Sequence, residues 1–314
     1  MQSKLVDYKM PKPFLKWAGG KKQVIKFIDR NLPQNIKDSG VIDSYFEPFL
    51  GGGAIFFHLA NKYKIKYAYL GDINKELILT YLVVKKNPKK LISQLKVYSD
   101  EYLPLDSDSR KEYYYGIRNE FNDNLDNFDY ENFSNDHILR ASQMIFLNRT
   151  CFNGLYRVNK GGKFNVPIGK YKNPQICNEE NILNVSEVLK GVNIICEDYA
   201  ESEALIEQDS FVYLDPPYLP IKKNSFTSYN SEGFGIKEQM ELSEYCKRID
   251  EKGAKFILSN SDPKNHDPSN NFFEDTYGNL NLKKFDYKRI KVRRSINSNG
   301  NKRGSINELL LYNY

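Results

Sequence analysis

Short apolar runs alternate with stretches of helical spacing at the two ends of the chain, and the middle lacks such runs. Ser44–Tyr63 (SYFEPFLGGGAIFFHLANKY) reads as strand, glycine turn and helix, and Lys66–Asn74 (KYAYLGDIN) as the next strand, ending in Asp72. Phe14–Leu32 (FLKWAGGKKQVIKFIDRNL) opens on a Gly-Gly turn and continues with helical spacing through Val24, Ile25 and Ile28. The strand pattern resumes late. Asn193–Tyr199 (NIICEDY) ends in Asp198, Phe211–Leu214 (FVYL) ends at Asp215, and Lys255–Asp262 (KFILSNSD) ends on Ser259 and Asn260. FDYKRIKVRR and NELLLYN then close the sheet. In between, Leu77–Leu95, Lys111–Phe121 and His137–Leu147 are spaced as helices and separated by acidic, Asn-rich loops. LYRVN and KFNVP flank Gly161-Gly162, the signal of a hairpin. The pattern predicts an α/β domain formed by residues 1–75 and 175–314, with a mainly helical insertion at 76–174.

Composition narrows the class. The chain has 314 residues and 40% hydrophobic content, and no run of about 18 apolar residues suited to a membrane. The opening MQSKLVDYKMPKPF lacks the apolar core of a secretion signal, so a cytoplasmic location is expected. Cys151, Cys177, Cys196 and Cys246 form no C-x-x-C pair, and His58, His137 and His266 are scattered, so neither a disulfide framework nor a metal centre is expected. The net charge is +6, unevenly spread. Arg149–Gln175 carries six basic residues and no acid, and Lys283–Arg303 carries nine against Asp286 alone. Asp100–Asp136 carries eleven acids against three bases. Such segregation fits a polyanion on one face and solvent on another.

Residues 211–218, FVYLDPPY, hold the candidate chemistry. Pro216 and Pro217 forbid continuation of the strand, which leaves the Asp215 carboxylate, the Pro216 carbonyl and the Tyr218 ring at its end. Ligands of open α/β sheets bind at that edge. The set suits methylation of an exocyclic amine on a base: two acceptors orient the amine, and the ring offers a stacking face. Two other loops fail tests for common cofactors. Lys22 stands where a phosphate-binding loop needs Ser or Thr, and Phe56 stands where a dinucleotide fingerprint needs Gly or Ala. Gly51–Gly53 still permits close backbone approach to a ligand, and Asp72 is spaced to hold ribose hydroxyls. Leu219–Gly235 has the length and polarity of a lid. The hairpin offers Arg157, Asn159, Asn165 and Phe152 to a DNA groove.

The ordered set FLKWAGGK, FEPFLGGG, GDIN, FNGLYRVN…KFNVPIGKY, DPPY, SFTSY and LSNSD resembles the Dam-type, α-group DNA adenine-N6 methyltransferases, from about Phe14 to the C-terminus. The resemblance implies a Rossmann-like methyltransferase sheet with an inserted target-recognition domain bearing a β-hairpin. It further implies S-adenosylmethionine as donor, S-adenosylhomocysteine as product, and a flipped adenine in double-stranded DNA. By the same resemblance the donor is held by Trp17, Ala18, Gly19, Lys21, Glu47, Pro48, Phe49, Gly51, Gly53, Asp72, Ile73, Asp198, Tyr199 and Asp215. Asp215, Pro216, Pro217 and Tyr218 form the catalytic motif. The hairpin is similar to that of the GATC-methylating branch, which implies that Arg157 reads guanine, that Leu155 and Pro167 touch thymine, and that Phe152 wedges into the stack. Asn153, Asn159, Asn165, Lys170 and Tyr171 join the DNA set, with Arg293 and Arg294 from the C-terminal basic segment. Lys170 departs from the arginine usual there and loses its bidentate fork. A monomer is expected, with a restriction endonuclease of the same site as a candidate counterpart. The competing expectations are RNA or cytosine N4 as substrate, or a DNA-binding module without catalysis.

Overall fold

Phe211–Leu214 forms β4, and all four residues are buried. It pairs in parallel with β1 (Val41–Glu47), Tyr45 opposite Phe211, and with β5 (Lys255–Ser261), Leu214 opposite Leu258. A parallel strand covered on both faces has no polar side to show, which is why its sequence is an unbroken apolar run. The computed structural model describes residues 10–17, 21–123, 125, 127–218, 234–293 and 305–314. The expected lid segment 219–233, the site residues Ala18, Gly19 and Arg294, and the side chain of Arg293 lie outside the described residues.

The fold is mixed α/β with a seven-stranded sheet in the order β3-β2-β1-β4-β5-β7-β6, where β2 is Lys64–Gly71, β3 Asn193–Ile195, β6 Asp286–Arg293 and β7 Ser305–Tyr312. The parallel strands β2, β1, β4 and β5 are followed by the antiparallel pair β7 and β6. The chain divides into two compact units, Met1–Gly19 with Gly51–Asn61 and Asn74–Ile194, and Gly20–Leu50 with Lys62–Ile73 and Ile195–Tyr314.

The second unit carries most of the sheet. On one face, Val212 and Leu214 of β4, Phe256 and Leu258 of β5, and Leu309 and Leu311 of β7 form one buried cluster. Leu242, Tyr245, Cys246 and Ile249 of α9 (Ile236–Glu251) and Phe273 and Tyr277 of α10 (Phe272–Gly278) complete it. Side chains alternate along strands, so Tyr213, Ser259 and Glu308 point to the opposite face. There Phe27 of α1 (Lys22–Asn31) packs 5.9 Å from Tyr312. A short helix, α2 (Gln34–Ser39), leads into β1.

The first unit is helical: α3 (Ala54–Lys62), α4 (Lys75–Lys86), α5 (Pro88–Tyr102), α6 (Ser107–Asp123), α7 (Asn135–Thr150) and α8 (Glu179–Val188). The expected single helix over 77–95 is in fact two. Pro88 cannot donate to the turn before it, and Asn87 leaves helical geometry at φ −137°. α7 is buried nearly all round, and its Arg140 is 2% exposed. Arg140 shares its Nε–H between the two Glu76 carboxylate oxygens, at 2.9 and 2.8 Å, donates to Oε1 also from Nη2 at 2.5 Å, and lies over the rings of Phe121 and Phe128.

Ser259 and Asn260 stand among the last three residues of β5, as expected, and are fully buried. Two strand expectations are corrected. β3 stops at Ile195, and Asp198 instead caps a 3-10 turn over Tyr199–Leu205 by accepting from Ala200 N. The two arms around Gly161-Gly162 meet by isolated antiparallel bridges, Val158 with Phe164 and Cys151 with Ile168, rather than as regular strands.

Candidate active site

In the second unit, three neighbouring strands set out a row of polar groups on the α1 face. Asp215 follows β4 directly, Ser259 sits in β5 and Glu308 in β7. Lys21, immediately before α1, sends its side chain into this row and is 7% exposed. Its Nζ donates to Asp215 Oδ1 at 2.7 Å, Glu308 Oε1 at 2.9 Å, the Tyr218 hydroxyl at 2.5 Å and, more weakly, Ser259 Oγ at 3.3 Å. The Tyr218 hydroxyl also bonds Glu308, and Ser259 Oγ donates to Glu308 at 2.7 Å. Tyr218 is 36% exposed, so its ring faces outward while its hydroxyl is tied inward.

The charges of the row depend on one another. Burial alone would lower the Lys21 pKa, but Asp215 first, then Tyr213, Tyr218 and Glu308, raise it well above the ordinary lysine value. Burial raises the Asp215 pKa, and Lys21 opposes that rise. With the ammonium in contact, we assign Asp215 as a carboxylate and Lys21 as charged. Burial pushes the Tyr218 and Tyr213 hydroxyls well up, so both stay neutral. Behind the proline turn, Gln239 Nε2 donates to the Pro217 carbonyl at 3.2 Å and Asn260 Nδ2 to Gln239 Oε1 at 3.1 Å. These buried amides fix the turn from within the fold.

Other predicted residues of this unit line the carboxyl ends of the strands. Glu47, at the end of β1, is buried and accepts from the Tyr45 hydroxyl at 2.8 Å. Pro48 and Phe49 follow it, and Phe49 stacks on Tyr199 with centroids 5.1 Å apart. Asp72 leaves β2 with its N–H on Ile195 O, and Ile73 next to it is 71% exposed. Asp198 is exposed.

The first unit holds the remaining predicted residues. Gly51 and Gly53 both take positive φ, 48° and 65°. A Cβ on Gly51 would stand 2.9 Å from Trp17 Cδ1, so a side chain there is excluded both by backbone and by the indole. Trp17 stacks on Tyr156, 5.4 Å between centroids and 18° apart in plane. In the hairpin, Arg157 Nε donates to Asn165 Oδ1 at 2.7 Å, and Asn159 Oδ1 accepts from Gly161 N and Lys163 N, closing the turn. Phe152 is 46% exposed with its N–H on Pro167 O, and Asn153 takes a φ of 56°. Leu155 is half-buried, Lys170 exposed, and Tyr171 lies under the Lys16 ammonium at 4.1 Å.

Sequence reasoning missed Glu308, Gln239 and Tyr156. For Glu308 a signal existed: a carboxylate at the head of the apolar run Leu309–Leu311 is an expensive placement if buried and calls for a partner. Residues 17–296 match the family described as D12 class N6 adenine-specific DNA methyltransferase. The chain belongs to that family. This methyltransferase is 47% identical over 305 residues to the Type II methyltransferase M.MjaIII of Methanocaldococcus jannaschii, across 96% of this chain and 99% of that one. It is 36% identical to the Type II methyltransferase M1.LlaDCHI of Lactococcus lactis subsp. cremoris over 96% of this chain and 95% of the relative. It is 33% identical to the DNA adenine methylase of Escherichia coli K12, with the same coverage of both chains. The Dam-type resemblance read from the motifs therefore holds, and the enzyme is an N6 adenine-specific DNA methyltransferase. Among the described residues, no helix is long and apolar enough to cross a membrane.

Proposed function

We propose that this enzyme transfers a methyl group from S-adenosylmethionine to N6 of an adenine swung out of duplex DNA, at GATC. The observation that carries the reading is the pairing of Asp215 with Tyr218 at the end of β4: an oriented carboxylate beside an outward-facing ring. Tyr218 stacks on the extruded base, and Asp215 with the Pro216 carbonyl accepts the N–H bonds of its amine, which aims the nitrogen lone pair. The residues of the second unit suit the donor. Asp72 and Asp198 offer carboxylates for hydroxyl and amine groups, and the exposed Ile73 offers an apolar face for a purine. When bound, the donor supplies an electrophilic methyl on a sulfonium. The nitrogen that receives it becomes acidic and sheds its proton to Asp215 or water, so no stronger base is needed.

We assign residues 76–174 to target recognition, with Arg157 on guanine, Leu155 and Pro167 on thymine and Phe152 as the wedge. The Asn165 contact holds the Arg157 fork in one orientation, which supports a reading role. The Type II names of two relatives support a restriction-modification setting, with a nuclease of the same specificity acting on unmethylated sites.

Asp215→Ala is expected to abolish methyl transfer while reducing donor affinity only in part, measured by radiolabel incorporation and calorimetry. Turnover at the wild-type rate would remove Asp215 from the mechanism. Methylation-sensitive sequencing of DNA from cells expressing the gene tests the target, and modified adenines outside GATC would overturn that specificity.

A further inference from the structure

Glu308 is 5% exposed, in a strand that continues through Leu309, Leu310 and Leu311. Three donors converge on its Oε1: Lys21 Nζ at 2.9 Å, Ser259 Oγ at 2.7 Å and the Tyr218 hydroxyl. The same ammonium contacts Asp215 at 2.7 Å. Among the described residues, the cluster thus sets one ammonium against two carboxylates. Take Glu308 away, and Lys21 neutralises Asp215. A neutral pair exerts little attraction on a positive charge that arrives beside it, and in a site sheltered from water that difference is large.

We propose that Glu308 is a positioning residue acting through Lys21: it compensates the ammonium so that Asp215 retains a net negative field for the amine that turns cationic during transfer. The inference rests on the adenine-N6 reading. In that step a nitrogen–carbon bond forms as the sulfur–carbon bond breaks, and the positive charge passes from sulfur to nitrogen. The nitrogen then releases one proton. Hydrogen bonding alone does not require a carboxylate here, because a glutamine oxygen accepts from the same three donors. Charge is what a glutamine lacks.

Two variants of the full-length enzyme separate these roles. Glu308→Gln is expected to slow single-turnover methyl transfer roughly 10- to 100-fold, with DNA affinity and KM for DNA within about threefold. Glu308→Asp, which keeps the charge on a shorter arm, is expected to recover most of that loss. Equal rates for the two variants, or a Gln variant as fast as wild type, would overturn the proposal. The wild-type enzyme supplies a second readout that depends on no variant folding. By calorimetry, a donor analogue carrying an ammonium in place of the methylsulfonium is expected to bind about tenfold or more tighter than the neutral thioether product. Equal affinities would overturn the net negative field. Failure of the wild-type enzyme to methylate adenine would instead sink the functional reading, whatever the binding ratio.

Discussion

Lys21 and Arg157 illustrate how much of a side chain's task is local. Arg157 stands in a basic hairpin segment, and the base-reading role proposed for it was suggested by residue type and by the turn at Gly161-Gly162. Its orientation was not legible, because that depends on Asn165, eight residues away across the hairpin. We expect Arg157→Ala to relax the choice at its guanine by about 1–3 kcal/mol while leaving the preference at the other positions intact. Binding measured against a panel of single-base variants of the site checks this, and an unchanged preference at that guanine would refute the assignment. Lys21 was legible only as part of a glycine-flanked motif. That its ammonium reaches Asp215, 194 residues on, and Glu308, 287 residues on, is a consequence of the sheet.

Helix α7 shows what an element adds. Its sequence reads as a helix, yet its apolar positions do not explain Arg140 in the interior. The explanation is Glu76, next to the Asn74 cap that opens α4, whose carboxylate is buried against the guanidinium and also accepts from Tyr130 at 2.5 Å. Burying either charge alone is costly, and the pair persists because each satisfies the other. Arg140→Met should therefore destabilise the enzyme by about 3–5 kcal/mol, because it strands Glu76 without its guanidinium. Urea denaturation reads this directly, and a midpoint equal to wild type would show that Glu76 finds another partner or a proton. Sequence periodicity placed the helical region but fused α4 with α5, since the apolar spacing runs on through Asn87. Pro88 carried the correct boundary.

Across the chain as a whole, 23 tyrosines, many of them buried, give stability a strong alkaline limit. Burial pushes Tyr69 and Tyr199 up to about 12, and Lys21 is also raised. In each case the protonated form is favoured by the fold. The stabilisation is complete below the unfolded values of about 10–10.4, and is lost as pH rises through the folded values. The melting temperature should hold steady from pH 7 to about 9.5 and fall between about 10 and 12. Thermal melts in parallel with ultraviolet titration of tyrosinate would check this. Tyrosinate appearing below pH 10 before any loss of structure at these positions would contradict it.

What the sequence determined by itself is what short segments encode: the buried strand at Phe211–Leu214, the proline stop after Asp215, the glycine turn at Gly51–Gly53, and the basic hairpin. These follow from backbone geometry and local apolar period, which need no distant partner. Which strands lie side by side was decided only in the folded chain. Apolar runs on β4, β5 and β7 are nearly interchangeable as sequence, and their order is set by how their faces bury together against α9 and α10. That order brings Glu308 and Ser259 alongside Asp215 and gives Lys21 its oxygens, because burial selects the pairing and the buried charges must then find one another.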